Sequence, residues 1–250
     1  MPGALPRITA QTALFLDFDG TLVDIAAEPE LVQVSPELPG LLADLHAALG
    51  GALAIVSGRK LSDLDHFLSP QRLPASAEHG AQLRLADGIL TQVASPDLHE
   101  VSRVALALAA QHAGLKVEIK TTAVSLHYRQ APALESLCLE AMAEAVKRSP
   151  GLELMQGKCV FDIKAAGVSK GSAIAALMGK QPFAGRLPVF VGDDTTDEAG
   201  FESVQNMGGE GIKIGEGPSL AERRCASPSA LRQWLQTSLQ DINQSGGLRA

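Results

Sequence analysis

ALFLDFDGTL, residues 13–22, is an apolar run that ends in two aspartates separated by a single residue. A short apolar run that is followed by glycine is typical of a buried strand. Because side chains alternate along a strand, Asp17 and Asp19 can point the same way at its tip. Two carboxylates that close repel each other unless a cation or a shared proton lies between them. The stretch therefore predicts a strand with a divalent cation site at its carboxyl end, and an acidic turn is the alternative.

Two further apolar runs, 52–56 and 187–191, also end in polar clusters. The first is followed by Ser57-Gly58-Arg59 and the second by GDDTTDE, residues 192–198. Apolar strands without alternation, separated by helical patterns, are typical of a parallel sheet that is covered on both faces. The sequence therefore predicts an α/β fold in which three polar clusters meet at the carboxyl edge of the sheet.

Capping residues predict where the helices begin. Ser35 and Pro36 suit the N-cap and the first turn of a helix over 36–49. Ser169 suits the N-cap of a second helix that begins at Lys170.

The segment 97–167 has a different pattern, in which apolar and polar residues alternate as in a sheet with one polar face. Two helices and four strands are expected there, at 98–111, 117–120, 124–129, 133–148, 152–155 and 160–164. We therefore expect a smaller α+β unit at 97–167, inserted into a larger unit that is formed by 1–96 and 168–250.

The composition excludes several classes of protein. The 250 residues are 46% hydrophobic and 20% charged, with a net charge of −7 and no basic stripe, which argues against nucleic acid as a partner. No apolar run reaches the roughly 18 residues that span a bilayer. Three scattered cysteines favour reduced thiols and a cytoplasmic location. We expect a monomer whose partner is a small-molecule substrate.

The aspartates supply the oxygen ligands that a hard cation such as Mg²⁺ prefers. Asp17, Asp19 and Asp193 are the predicted ligands. Asp194 and Asp197 either contact the metal or brace its ligands. The alternative for Asp193 and Asp194 is capping of a helix that begins near Thr195.

An anion site is predicted from Ser57-Gly58-Arg59 and Lys170. The first segment offers a hydroxyl and backbone N–H groups at a helix start. Lys170 lies at a helix N-terminus, where a cation opposes the helix dipole, and a bound phosphate would explain it. An ordinary turn and a solvated lysine are the alternatives. Together these groups suit phosphoryl transfer, with Asp17 as nucleophile and Asp19 as general acid and base.

Four segments of the chain resemble the motifs of a known family. Residues 17–22, Ser57-Gly58-Arg59, Lys170 and Gly192-Asp193-Asp194 are similar, in order, to the four motifs of haloacid dehalogenase (HAD) superfamily phosphatases. Within that superfamily the chain most resembles the trehalose-6-phosphate phosphatases, over about residues 12–240. The segments that carry this closer resemblance are 78–80, 124–129, 157–158, 169–171 and 192–198.

The resemblance implies a Rossmann-like core with an inserted cap and Mg²⁺-dependent hydrolysis of trehalose 6-phosphate through an aspartyl-phosphate. It also implies a set of substrate-binding residues, which are Glu78, His79, Lys120, His127, Arg129, Lys158 and Asp162. One departure is Asp162, which stands where the family has Glu. The alternatives are hydrolysis of sucrose phosphate or of a glycosyl- or mannosyl-phosphoglycerate, a phosphomutase, and a regulatory domain that binds sugar phosphate without turnover.

Overall fold

The computed structural model describes residues 4–26, 28–94 and 97–247. Two compact units form the chain. The core unit comprises Met1–Thr91 with Ser169–Ala250, and the inserted unit comprises Gln92–Val168. The sequence-based bounds of the insert are 97 and 167, and the predicted core boundary at residue 96 lies outside the described residues.

The strands, in chain order, are β1 Thr12–Leu16, β2 Leu53–Val56, β3 Ala75–Ala77, β4 Gln82–Arg84, β5 Leu90–Gln92, β6 Lys116–Ile119, β7 Ala123–His127, β8 Leu152–Gly157, β9 Val160–Ala165, β10 Leu187–Gly192, β11 Glu210–Ile214 and β12 Arg223–Cys225. The α-helices are α1 Leu38–Ala48, α2 Leu61–Phe67, α3 His99–Gln111, α4 Glu135–Lys147, α5 Lys170–Met178, α6 Glu198–Asn206 and α7 Pro228–Gly247.

Eight strands form one sheet in the order β12-β11-β10-β1-β2-β3-β4-β5. The neighbours from β12 to β3 are parallel, and β4 runs antiparallel to β3. Strand order reverses between β1 and β10. The strands that follow β1 in the sheet lie on one side of this pair, and those that follow β10 lie on the other side. Open α/β sheets bind ligands at the carboxyl ends of the strands at such a switch point. The predicted α/β class is confirmed.

The central strand β1 is buried on both faces. Leu14 and Leu16 pack in one apolar cluster with residues of α1 and α7. Ala13 and Phe15 pack in a second cluster with residues of α5 and α6. A shift of β1 by one residue would draw Asp17 into these apolar layers, and the cost of burying an unpaired charge there fixes where the strand ends.

The inserted unit has a four-stranded antiparallel sheet in the order β6-β7-β9-β8. One face carries Val124, Leu126, Phe161 and Ile163, which form an apolar cluster with residues of α3 and α4. The cross-strand partners Glu118, Ser125 and Asp162 share the other face. The alternation seen in the sequence therefore separates an apolar face from a polar face.

Three details differ from the expectations. The helix predicted over 36–49 begins at Leu38 without a side-chain cap, because the Ser35 hydroxyl is bonded to the Glu37 carboxylate instead. Strand β12 was not predicted, since its sequence Arg-Arg-Cys has no apolar pattern. The last helix extends to Gly247.

The cysteines and the helices bear on two expectations from composition. The three cysteines are free thiols, as predicted. Among the described residues no helix combines the length and the apolar character needed to cross a membrane.

Candidate active site

Asp17 lies at the carboxyl end of β1 and is buried. Its backbone N–H donates to Val191 O at 2.9 Å and so continues the pairing with β10. Its Oδ1 accepts a hydrogen bond from Lys170 Nζ at 2.7 Å, and its Oδ2 accepts one from Thr21 Oγ1 at 3.0 Å. Both oxygens are therefore held in fixed directions by groups that come from separate parts of the chain.

Lys170 is the first residue of α5, which Ser169 caps through a capping box with Ser172. The predicted helix start is confirmed. The buried ammonium bonds Asp17 and, at 2.6 Å, Asp197 Oδ1. Burial favours the neutral amine, but the two carboxylates outweigh it and raise the pKa of Lys170. The lysine is therefore a charged buried group rather than a solvated one.

The same cluster acts on Asp17 in the opposite sense. Burial raises the pKa of Asp17 well above its usual range, the ammonium of Lys170 opposes this rise, and the carboxylates of Asp197 and Asp193 add to it. The cluster thus holds more negative charge than one ammonium can balance.

Residues 193–197 form a tight loop after β10. Asp197 is fully buried, and its Oδ2 accepts the N–H groups of Asp193 and Asp194, each at 2.9 Å. Asp194 caps the turn Thr195–Asp197 by accepting the Thr195 N–H at 2.7 Å. Asp194 therefore acts as an N-cap, which was the alternative to a role at the metal. Asp197 holds the loop through its hydrogen bonds to the backbone.

The donor set fits Mg²⁺. Asp17, Asp193 and Asp197 each offer a carboxylate oxygen, and these oxygens lie within 4.8 Å of one another. Hard oxygen ligands and unbalanced negative charge are what a divalent cation requires. Gly20 makes room for the site, since a Cβ on its left-handed backbone (φ +74°) would lie 2.2 Å from Asp193 Oδ2.

The carboxylate of Asp19, predicted to act as a metal ligand and proton carrier, lies outside that triad. Arg59 holds it through two parallel hydrogen bonds, Nε to Oδ2 at 2.7 Å and Nη2 to Oδ1 at 2.6 Å. The guanidinium lies near the rings of Phe18 and Phe67, 5.5 and 4.9 Å from their centroids. Arg59, which was predicted to bind phosphate, therefore uses two nitrogens of its guanidinium to bind a carboxylate.

The loop after β2 is fixed by the segment that follows β3. His79 N–H donates to Ser57 O at 3.0 Å, and Glu78 N–H donates to Arg59 O at 2.9 Å. Glu78 and His79 are buried and have φ of 48° and 58°, a region that is costly for residues other than glycine. A Cβ at Gly58 would lie 2.3 Å from the His79 ring. The predicted residues of these two segments are thus packed together in the core unit.

Lys213 is a residue of this region that the sequence analysis missed. It is buried on β11 beside Gly192 of β10, and its Nζ donates to Asp193 O at 2.6 Å. The signal was present, because a lysine between two isoleucines in a short apolar strand is unusual. Lys213 thus holds the backbone of a predicted metal ligand.

The remaining predicted residues lie in the inserted unit. Asp162 accepts a hydrogen bond from the buried Ser125 hydroxyl on the neighbouring strand, and Lys120 Nζ lies 3.7 Å from Asp162 Oδ1. All three side chains are buried on the polar face of the sheet. Asp162, although one methylene shorter than Glu, is therefore held by a neighbour on its own sheet.

His127, Arg129 and Lys158 are more exposed. His127 Nε2 lies 3.5 Å from Glu118 Oε2 on the same polar face. Arg129 Nη2 donates to the Lys158 carbonyl at 3.4 Å, which places these two residues side by side. Lys158 itself lies in the β8–β9 turn with its side chain exposed.

Comparison with known proteins relates the chain to one family. The family model described as Trehalose-phosphatase matches residues 15–232. A trehalose-6-phosphate phosphatase of Escherichia coli K12 is 41% identical over 245 residues, which cover 96% of this chain and 92% of that protein.

Solved structures agree on the fold. The C-terminal domain of Candida albicans trehalose-6-phosphate phosphatase superimposes with a TM-score of 0.85 at 21% identity, covering 93% of each chain. A haloacid dehalogenase-like hydrolase of Bacillus subtilis superimposes with a TM-score of 0.66 at 15% identity, covering 90% of this chain and 99% of that one.

Proposed function

We propose, because this chain belongs to the trehalose-phosphatase family, that its reaction is the Mg²⁺-dependent hydrolysis of trehalose 6-phosphate to trehalose and inorganic phosphate. The observation that supports the reaction class is the buried Asp17 carboxylate, which Lys170 and Thr21 hold at the switch point of the sheet. A carboxylate fixed in direction beside a buried cation is suited to attack an anionic phosphorus centre.

In the first half of the reaction a carboxylate oxygen of Asp17 attacks phosphorus. The bond between phosphorus and the sugar oxygen breaks, and an aspartyl-phosphate forms. Asp19, protonated at a lone pair that the two Arg59 hydrogen bonds leave open, gives this proton to the departing sugar alkoxide. The Lys170 ammonium balances negative charge on the phosphoryl oxygens, and the Ser57 hydroxyl donates a hydrogen bond to them.

In the second half a water molecule attacks phosphorus of the aspartyl-phosphate. Asp19, now a carboxylate, takes the proton of that water, and the Asp17 carboxylate leaves. Both groups return to their starting protonation states. Mg²⁺, held by Asp17 and Asp193, would neutralise charge on the phosphoryl group during both transfers.

The inserted unit would recognise the sugar. Lys120, Asp162 and His127 share the polar face of its sheet, and Lys158 and Arg129 lie side by side at its β8–β9 turn. Charged and hydroxyl-binding groups of this kind suit a disaccharide, whose hydroxyls both donate and accept hydrogen bonds. The core unit would thus supply the chemistry and the inserted unit the choice of sugar.

Phosphate release from a panel of sugar phosphates tests this proposal. The panel contains trehalose 6-phosphate, sucrose 6-phosphate, glucose 6-phosphate and glucosyl-3-phosphoglycerate, each with Mg²⁺ and with EDTA. We expect strong release from trehalose 6-phosphate alone, and only with Mg²⁺. The Asp17→Asn variant, which keeps the shape of the side chain, is the control and should release none.

Each alternative predicts a different result. Preference for another member of the panel would keep the mechanism and change the sugar, with Asp162 as the first residue to examine. An isomerised sugar phosphate without free phosphate would indicate a phosphomutase. Tight binding of trehalose 6-phosphate without turnover would indicate a regulatory protein.

A further inference from the structure

Arg59 occupies an unusual position for a residue predicted to bind phosphate. Its guanidinium is about nine-tenths buried, and both members of its planar fork bond the two oxygens of Asp19. The rings of Phe18 and Phe67 lie within 6 Å of it, which favours one orientation of the guanidinium plane. Asp19 in contrast is 38% exposed. The buried partner therefore fixes the more exposed one.

We propose that Arg59 is a positioning residue for Asp19, rather than a ligand of the substrate phosphate. The inference rests on the proposed function, because it assigns Arg59 to the proton transfer that Asp19 performs. The bidentate geometry sets both the place and the plane of the carboxylate, which a single hydrogen bond or a point charge does not do. A proton carrier must lie within hydrogen-bond reach of the leaving oxygen, so its placement controls the rate.

The two roles differ in how they depend on the leaving group. An alkoxide that leaves a sugar phosphate requires a proton, whereas p-nitrophenolate is a stable anion and leaves without one. A residue that acts through Asp19 therefore affects the alkyl phosphate far more than the aryl phosphate. A residue that binds the phosphoryl group affects both equally, because that group is common to the two substrates.

The test measures kcat/KM for trehalose 6-phosphate and for p-nitrophenyl phosphate in Arg59→Gln and Arg59→Lys. This ratio reports the steps up to departure of the leaving group, and so it excludes hydrolysis of the aspartyl-phosphate. We expect a loss of about 100-fold for trehalose 6-phosphate and less than about tenfold for p-nitrophenyl phosphate in both variants. Arg59→Lys keeps the charge and loses only the fork, so it should not restore the rate.

A double variant supplies an independent readout. If Arg59 acts through Asp19, then Asp19→Asn with Arg59→Gln should be no slower on trehalose 6-phosphate than Asp19→Asn alone. Arg84→Lys is the matched control. Arg84 is another buried arginine with its fork on a carboxylate, that of Asp65, at 2.9 and 2.7 Å. Its replacement should lower stability without changing the ratio of the two rates.

Three results would overturn the inference: equal losses on the two substrates, additive losses in the double variant, or near wild-type activity of Arg59→Lys. Failure of the proposed function is a separate outcome. It would appear as a wild-type enzyme that ignores trehalose 6-phosphate, and the same comparison would then use the alkyl phosphate that the panel identifies.

Discussion

At the scale of single residues, the site combines side chains whose burial is costly with partners that offset the cost. Asp17, Lys170 and Asp197 are all nearly inaccessible to solvent, and each bonds another member of the group. A buried charge without a partner would destabilise the fold by several kcal/mol. The site is therefore an arrangement in which two buried carboxylates share one buried ammonium.

Asp17→Asn should stabilise the metal-free protein while it abolishes turnover. A carboxyl whose pKa is raised on folding takes up a proton as the chain folds, so its contribution to stability falls as the pH rises through the folded pKa. The neutral amide avoids this loss at pH 7 to 8. Thermal unfolding in EDTA measures the effect, with each kcal/mol worth about 2–4 °C in Tm. A lower Tm for the variant would mean that attraction to Lys170 outweighs burial, and with Mg²⁺ present the advantage should disappear.

Lys213→Met should weaken Mg²⁺ binding. The substitution preserves the length of the side chain but removes the hydrogen bond to the Asp193 carbonyl, so the backbone that carries Asp193 is held less firmly. Loss of such a bracing group typically costs about 10–100-fold in metal affinity. Titration calorimetry with Mg²⁺ measures the change directly. Lys180→Met, which alters an exposed lysine in the same unit, is the control, and an unchanged affinity in Lys213→Met would remove Lys213 from this role.

At the scale of secondary-structure elements, the β8–β9 hairpin has an uncommon turn. Gly157 pairs with Val160, so Lys158 and Cys159 are the two central residues. Cys159 has a φ of 62°, a conformation that normally calls for glycine in the second central position. The chain thus carries local strain next to Lys158, a predicted sugar-binding residue.

Cys159→Gly should therefore stabilise the protein, by up to about 1 kcal/mol, because relief of the strained backbone exceeds the added freedom of the unfolded chain. Cys159→Val should destabilise it, since a β-branched side chain tolerates positive φ least. Urea unfolding of both variants measures the two changes. If they shift stability in the same direction, the side chain of Cys159 rather than its backbone is what matters.

The sequence predicted most of these elements but fewer of the contacts between them. Buried strands such as β1 and β10 carry their own apolar signal, and Ser169 correctly marks the start of α5. The prediction that Ser35 caps α1 was wrong, because its hydroxyl is bonded to the carboxylate of Glu37. The fork of Arg59 on Asp19 joins residues 40 positions apart, and no local pattern encodes that pairing. Sequence motifs therefore indicate which residues lie in the same site. The hydrogen-bond partners of each residue depend on how distant segments pack.

At the scale of the whole molecule, the residues proposed to perform the chemistry and those proposed to recognise the sugar belong to different units. Asp17, Asp193 and Lys170 come from the two segments of the core unit, whereas Lys120 and Asp162 come from the inserted unit. Substitutions in the inserted unit are therefore expected to change which phosphate ester is accepted more than how fast it is cleaved.

Lys158→Ala tests this division. We expect KM for trehalose 6-phosphate to rise by about tenfold or more, as for the loss of a hydrogen bond to a charged group. The KM for p-nitrophenyl phosphate, which has no sugar, should change little. Steady-state kinetics on both substrates give the comparison, and Lys147→Ala, an exposed lysine on α4, is the control. A similar rise for both substrates would contradict a role of Lys158 in sugar recognition.

The placement of the insert between β1 and β10 also determines when these two strands can pair during synthesis. The strand that carries Asp17 leaves the ribosome early, but β10 follows only after the whole of Gln92–Val168 has been synthesised. At typical rates of translation that delay is on the order of ten to thirty seconds. The inserted unit, whose four strands pair only with one another, has all its partners by then, whereas one edge of β1 stays without its partner. The predicted metal-binding aspartates Asp17 and Asp193 therefore cannot meet before about three quarters of the chain has been synthesised.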